Sequence, residues 1–136
     1  MVRSHRITHG EAARRAAASL MRSLGYHDAE QADTVIWSSE AMALVHDGPR
    51  PATSRQVEWV RILAAKLGRQ PMVVSESGFS QGAVKLAEQS AVATFAITGP
   101  RSAVGCDSLG KVLLRNARCR ADGRLPPPLG LPGLRR

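Results

Sequence analysis

The spacing of apolar and polar positions along the chain predicts three amphipathic helices. Apolar side chains recur at steps of three and four over residues 11–24 and again over residues 54–67, where Ser54 is the expected cap. A third segment with this spacing follows the turn at residues 77–80 and extends to about Ser90. A glycine stands directly after each of the first two segments, where a left-handed residue ends many helices.

Four short apolar runs between these helices have the length and composition of β-strands. The first two, residues 34–37 and 42–46, are separated by a polar turn and predict a hairpin. The third, residues 71–75, is apolar at consecutive positions, which is typical of a buried central strand. The fourth covers residues 92–98. The order α-β-β-α-β-α-β predicts an α/β domain in which helices flank a sheet.

The 136 residues suit one domain with one hydrophobic core. We expect this domain over residues 11–98, after a flexible N-terminal segment of residues 1–10. Residues 99–117 form a C-terminal extension that can include a short helix. Residues 118–136 are basic and rich in proline and glycine, and we expect them to be disordered, because this composition cannot build a core.

The net charge of +8 raises the question of a nucleic-acid partner. Its distribution is uneven. Residues 115–136 contain six arginines against one aspartate, a net charge of +5, so residues 1–114 carry +3. A basic tail can hold phosphates or remain a solvated extension, and the sequence leaves both interpretations open.

Export and membrane insertion find no support in the sequence. No apolar run approaches the roughly 20 residues of a membrane-spanning helix. No apolar stretch follows Arg3 and Arg6, as a secretory signal would require. We therefore expect a cytoplasmic protein with no membrane partner, in which Cys106 and Cys119 are free thiols without metal-binding spacing.

Three segments carry distinctive local motifs. Residues 21–29 contain the Leu-Gly-Tyr end of the first helix, and residues 51–67 form the helix after the hairpin. The most specific segment, residues 73–83, contains a Ser-Gly-Phe turn followed by an alanine-rich helix. In this order they resemble the Mrr-like type IV restriction endonucleases over roughly residues 10–98. The alternative is an unrelated small α/β domain.

The resemblance implies a restriction-endonuclease-like mixed sheet flanked by helices, DNA as partner, and a bacterial restriction or DNA-processing context. Such nucleases hold Mg²⁺ with an Asp on the first hairpin strand and a Glu or Gln two residues before a Lys on the second. In this sequence Val35 lies near the position of the Asp. Leu44-Val45-His46 stands where the family has the Glu or Gln, one further residue and the Lys. Two apolar residues cannot bind a metal, and histidine lacks the permanent charge of lysine. The active site is therefore expected to be degenerate and to need no cofactor.

A shifted register offers an alternative catalytic site. Asp33, Glu40 and His46 are then the candidate catalytic residues, and Glu11 and Asp33 the candidate ligands of Mg²⁺. On the other interpretation each acid is a solvated surface charge, as expected for Glu40 in a hairpin turn.

Two further groups are candidates for phosphate or DNA binding. Ser75, Ser77 and Gly78 lie between a central strand and a helix, where backbone N–H groups favour a phosphate. A tight turn that needs the backbone freedom of glycine is the alternative explanation. Arg50 and Arg55 can line a DNA-facing surface or simply solvate it.

Three hypotheses about function follow from these observations. The leading one is a catalytically degenerate Mrr-like domain with sequence-independent DNA binding. The second is an active Mg²⁺-dependent endonuclease that uses a migrated acid. The third is a protein-interaction or dimerisation module, a homo-oligomer without DNA binding.

Overall fold

The computed structural model describes residues 9–121 and residue 123, and within this part the chain forms four helices and six strands. In chain order the elements are α1 (His9–Ser23), β1 (Glu30–Ala32), β2 (Val35–Trp37), β3 (Ala41–His46), α2 (Ser54–Leu67), β4 (Gln70–Ser75), α3 (Gln81–Ser90), β5 (Ala93–Gly99), β6 (Ser102–Gly105) and α4 (Ser108–Ala121).

The six strands form a single mixed sheet in the order β1-β2-β3-β4-β5-β6. The first three strands are an antiparallel meander, and β6 returns antiparallel to β5. β3, β4 and β5 are parallel neighbours, joined by α2 and α3 as crossover helices. The carboxyl ends of these three strands therefore lie along one edge of the sheet.

Each face of the sheet has its own apolar core, because successive side chains of a strand point to opposite faces. Ala43 and Val45 of β3 pack with residues of α1 and α4. Met42 and Leu44 of the same strand pack with residues of α2 and α3. Both faces are thus covered, which explains why β4 is apolar at consecutive positions.

α2 has the predicted bounds, 54–67, but its cap differs from the expectation. Thr53, one residue before Ser54, adopts the extended N-cap conformation, and its backbone N–H donates to Gln56 Oε1 at 2.8 Å. This is the return half of a capping box. Gly68 ends the helix with φ of 67°, the left-handed conformation for which glycine is favoured.

The seven predicted elements are present in the predicted order, with two further strands and a longer C-terminal helix. β1 was missed because all three of its residues are exposed and carry no apolar signal. β6 was missed because it is short and only partly covered. Since β6 pairs with β5 and α4 packs on the same sheet, the packed unit continues beyond residue 98, and residues 118–121 are helical. Residues 9 and 10 of the expected flexible N-terminal segment are helical too, because α1 begins at His9. Residues 1–8, 122 and 124–136 of the expected flexible ends lie outside the described residues.

A buried carboxylate attaches α4 to the sheet. Asp107, 1% exposed, stands directly before α4. Its Oδ1 accepts hydrogen bonds from the backbone N–H and the hydroxyl of Thr94 and from the N–H of Gly110, at 2.9–3.0 Å. These bonds compensate part of the cost of burying a charge, and they join the start of α4 to β5.

The turn between β2 and β3 is held by the exposed carboxylate of Asp28. Oδ1 accepts from the Ser38 hydroxyl at 2.7 Å, and Oδ2 accepts from the Ser39 N–H at 3.0 Å. These hydrogen bonds, that from Ser38 foremost, lower the pKa of Asp28 from its ordinary value of 3.8 to about 2.

We expect Asp28→Asn to destabilise the protein at pH 7 and to have less effect as the pH falls from about 4 to about 2. A depressed pKa in the folded state contributes stability that is present above the unfolded pKa and lost as the pH falls through the folded pKa. Urea unfolding of both proteins across this pH range measures the difference. Glu30→Gln, which removes another exposed charge, is the control, and an undiminished loss at low pH would contradict the assignment.

Candidate functional site

The positions at which the resemblance places the metal-binding residues lie side by side in the structure. Val35 of β2 and Leu44 of β3 are direct cross-strand partners. His46 is two residues further along β3 and therefore on the same face of the sheet. Val35 is only 8% exposed and Leu44 packs against the same core as Val35. The backbone juxtaposition is present, but two of its three side chains offer no donor to Mg²⁺.

The third side chain, that of His46, is hydrogen-bonded to other residues of the chain. Its Nδ1 lies 2.7 Å from Gln56 Nε2, and its Nε2 lies 2.7 Å from the carbonyl oxygen of Arg50. Because Gln56 Oε1 accepts the N–H of Thr53, the Gln56 amide nitrogen faces the ring and donates to Nδ1. Nε2–H then donates to Arg50 O. His46 thus fixes the loop between β3 and α2, and these three positions do not fit a Mg²⁺ site.

Asp33, a residue of the alternative site, lies in the tight turn between β1 and β2. Its φ of 62° is a left-handed conformation that Asp tolerates better than most residues. The N–H of Val45 donates to the carbonyl of neighbouring Thr34, so this turn is at the same end of β3 as His46. The structure thus gives Asp33 a turn-forming role next to the His46 end of the sheet.

Glu40 and Glu11 do not form a common site with Asp33 and His46. Glu40 precedes β3, so at about 3.3 Å per residue it stands about 20 Å from His46, far beyond a shared metal. Glu11, whose Oε2 lies 3.5 Å from Arg15 Nη2, is in the first turn of α1, which packs on the opposite face of the sheet from Leu44. Within residues 9–121 no group of three or more His, Cys, Asp or Glu residues is placed to hold a metal ion.

Ser75, Ser77 and Gly78 connect two loops at the carboxyl edge of the sheet. Ser75 is fully buried and its hydroxyl oxygen accepts the N–H of Ser77. The Ser77 hydroxyl donates to the carbonyl of Gly48, in the loop after β3. Gly78, with φ of 78°, accepts the N–H of Ala52. The N–H and hydroxyl of Ser77 are therefore already used, which favours the tight-turn interpretation.

The N-terminus of α3 is likewise capped by a residue of the chain itself. Ser80 is the N-cap, and its hydroxyl oxygen accepts the N–H of Ala83 at 3.1 Å. Arg50 and Arg55, by contrast, are exposed at the loop before α2 and in the first turn of that helix. Of the residues predicted to bind DNA or phosphate, these two arginines are the ones with exposed side chains.

Gln56 is the residue of this region that the sequence analysis missed. The spacing Thr53-x-x-Gln56 matches a capping box and was available in the sequence. Its second contact, to His46, joins residues ten apart and appears only when the loop closes.

Comparison of the chain with protein-family models, with curated proteins and with solved structures gave no match in any of the three. None of the helices within residues 9–121 has the length and apolar character to cross a bilayer. Cys106 and Cys119 are both free, as expected.

We expect Gln56→Ala to lower the free energy of unfolding by about 1–2 kcal/mol, because it removes the capping-box acceptor and one partner of His46. Chemical denaturation measures the loss. Gln89→Ala, a matched substitution at an exposed position of α3, is the control and should change stability little. Equal effects of the two substitutions would show that the Gln56 contacts do not stabilise the loop.

Proposed function

We propose that the chain is a restriction-endonuclease-like domain of the Mrr type that has lost metal-dependent cleavage and retains weak, sequence-independent DNA binding. Its context is a bacterial restriction or DNA-processing system. The observation that carries the proposal is the grouping of Val35, Leu44 and His46. They lie together on two adjacent strands, as the resemblance requires of the catalytic positions, yet Val35 and Leu44 cannot bind Mg²⁺ and His46 is a poor substitute for the lysine.

The sheet topology supports the same proposal. An antiparallel hairpin followed by parallel strands and crossover helices is the mixed arrangement that the resemblance implies. Ligands of such sheets commonly bind outside the carboxyl ends of parallel strands. The loops that carry Arg50 and Ser77 lie at that edge and are hydrogen-bonded to each other.

An exposed stripe on α2 supports DNA as the partner. The stripe consists of residues at steps of four, three and four, all exposed: Arg55, Trp59, Ile62 and Lys66. Trp59 is 48% exposed. Cations flanking an exposed indole suit a nucleic acid, because the cations meet phosphates while the ring stacks on bases.

The stripe also neighbours the edge at which Arg50 lies, since Arg50 stands four residues before the start of α2. The acid nearest to the stripe, Glu58, is paired with Arg61 at 2.6 Å, so it adds little net negative charge to this surface. Arginine and lysine contacts to phosphates carry no sequence information, and we therefore propose binding without sequence preference.

We expect the purified chain to leave supercoiled plasmid intact in Mg²⁺ and in Mn²⁺, on methylated and unmethylated DNA, because Val35 and Leu44 supply no metal ligands. Nicking is followed on agarose gels, with circular dichroism as evidence of folding. Asp33→Ala is assayed in parallel. Metal-dependent nicking that disappears in this variant would overturn the proposal and establish the active endonuclease that uses a migrated acid.

We expect binding to duplex DNA that weakens steeply as salt rises, and a salt slope that is smaller by about 2 in Arg55→Ala/Lys66→Ala, since each lost phosphate contact removes about 0.9. Fluorescence anisotropy at several salt concentrations measures the slope. Lys85→Ala/Lys111→Ala, which removes the same charge from α3 and α4, is the matched control. Equal slopes in the two double variants would contradict a binding role of the stripe.

The stripe also favours a second candidate, the protein-interaction or dimerisation module, since Trp59 and Ile62 form an exposed apolar pair. Light scattering of the wild type and of Trp59→Ala separates the two functions. A dimer that dissociates in Trp59→Ala, from a chain that does not bind DNA at low salt, would support the module and contradict the DNA-binding proposal.

A further inference from the structure

A groove of about 800 Å³ lies on the other side of the sheet, between the C-terminal halves of α1 and α4. The turn between β5 and β6 forms one of its walls. None of the residues of the α2 stripe or of the β3 edge lines it. Its volume is within the range of about 300–1,000 Å³ typical of small-molecule sites.

The charges that line the groove are all basic. They belong to four arginines: Arg22, Arg101, Arg118 and Arg120. The imidazole of His27 also lines the groove. No aspartate or glutamate is among the lining residues that the structure describes. Like charges gathered in a concave surface reinforce one another, so the groove attracts anions.

Two of these arginines are held in place by backbone carbonyls. Arg120 donates from Nη2 to Leu24 O at 2.9 Å, and Arg22 donates from Nη2 to Ala29 O at 3.1 Å. Each of these bonds uses one of the five N–H donors of a guanidinium. Two carbonyls in the segment between α1 and β1 therefore account for the position of these two side chains, and each guanidinium keeps four further N–H donors for a ligand.

The other two arginines have no such structural role. Arg101, in the β5–β6 turn, and Arg118, on α4, are both exposed, and neither contacts an acid or a carbonyl among the described residues. Both line the groove together with the anchored pair. Free guanidinium groups suit a phosphate, which they bind in a forked geometry.

The floor of the groove is apolar. It is formed by side chains of α1, β5 and α4, among them Leu20, Ile97, Leu114 and Ala117. A bare inorganic anion would leave this surface uncovered, whereas a base or ribose attached to the phosphate would cover it.

We propose that this groove binds a nucleoside phosphate, either a free nucleotide or the phosphorylated end of a nucleic-acid strand. The phosphates meet Arg101 and Arg118, and the nucleoside covers the apolar floor. This site is separate from the α2 stripe and does not depend on the function proposed above.

Isothermal titration calorimetry of the full chain with ADP tests the proposal. Arg101→Ala/Arg118→Ala should weaken ADP binding at least about tenfold, because two charge-assisted contacts are lost. Arg55→Ala/Lys66→Ala removes the same charge from the other face and should change it less than about twofold. Absence of ADP binding to the wild type at millimolar concentration, or equal losses in both double variants, would overturn the proposal.

Three further probes define the ligand. Adenosine and inorganic pyrophosphate should each bind at least about tenfold more weakly than ADP, and pyrophosphate binding as tightly as ADP would overturn the role of the floor. A 5′-phosphorylated trinucleotide separates the two sources, since binding tighter than that of ADP supports a strand end and weaker binding supports a free nucleotide.

The Ala117→Glu variant tests the location of the site. It places a carboxylate on the floor of the groove and should abolish ADP binding while circular dichroism shows an intact fold. Retained ADP binding would overturn the location.

Discussion

The parallel pairing of β3 with β4 is the contact on which the rest of the structure depends. It joins Leu44 to Val73 and His46 to Ser75, and it requires a crossover, which α2 supplies. Because the crossover helices cover one face and α1 and α4 the other, both faces of the central strands are buried. The same pairing brings the loops after β3 and β4 together, where Ser77 donates to Gly48 and Gln56 meets His46.

The edge of the sheet at which the resemblance places a catalytic site is occupied by residues that stabilise the fold. Leu44 lies where the resemblance places an acid, and it adds to the apolar core beneath α2. Ser75 is buried and His46 is half-buried, and both form hydrogen bonds with the two neighbouring loops. A buried polar group is costly without a partner, so closing the loops satisfies these groups in the absence of a metal. The function proposed above interprets this arrangement as a nuclease-like framework whose active-site positions have a structural role.

Within the part of the chain that the structure describes, both helical layers carry a basic surface. On one side, Arg55 and Lys66 flank an exposed indole on a convex helix, a shape that suits an extended partner. On the other side, four arginines surround a concave groove with an apolar floor, a shape that suits a compact ligand. Net charge alone indicates affinity for anions, and the shape of each surface then distinguishes which kind of anion it can hold.

The sequence by itself determined the elements whose signal is local: the periodicity of α2, the apolar run of β4 and the glycine that ends α2. It also identified Val35 and Leu44 as residues that cannot bind a metal and His46 as a poor substitute for lysine, since this depends on residue type. Only the tertiary structure decided that Glu40 lies about 20 Å from His46, that Asp33 serves a turn, and that Arg101 and Arg118 share one groove with Arg22. The sequence analysis also missed the strands β1 and β6, because pairing with a neighbouring strand, and not an apolar pattern, defines them. Arg22 lies far from Arg101 and Arg118 in the chain, and the three meet only after the apolar core between α1, α4 and the sheet has formed. The turn at Asp33 and the pairing of β1 and β6 depend on backbone hydrogen bonds, which residue type alone does not specify.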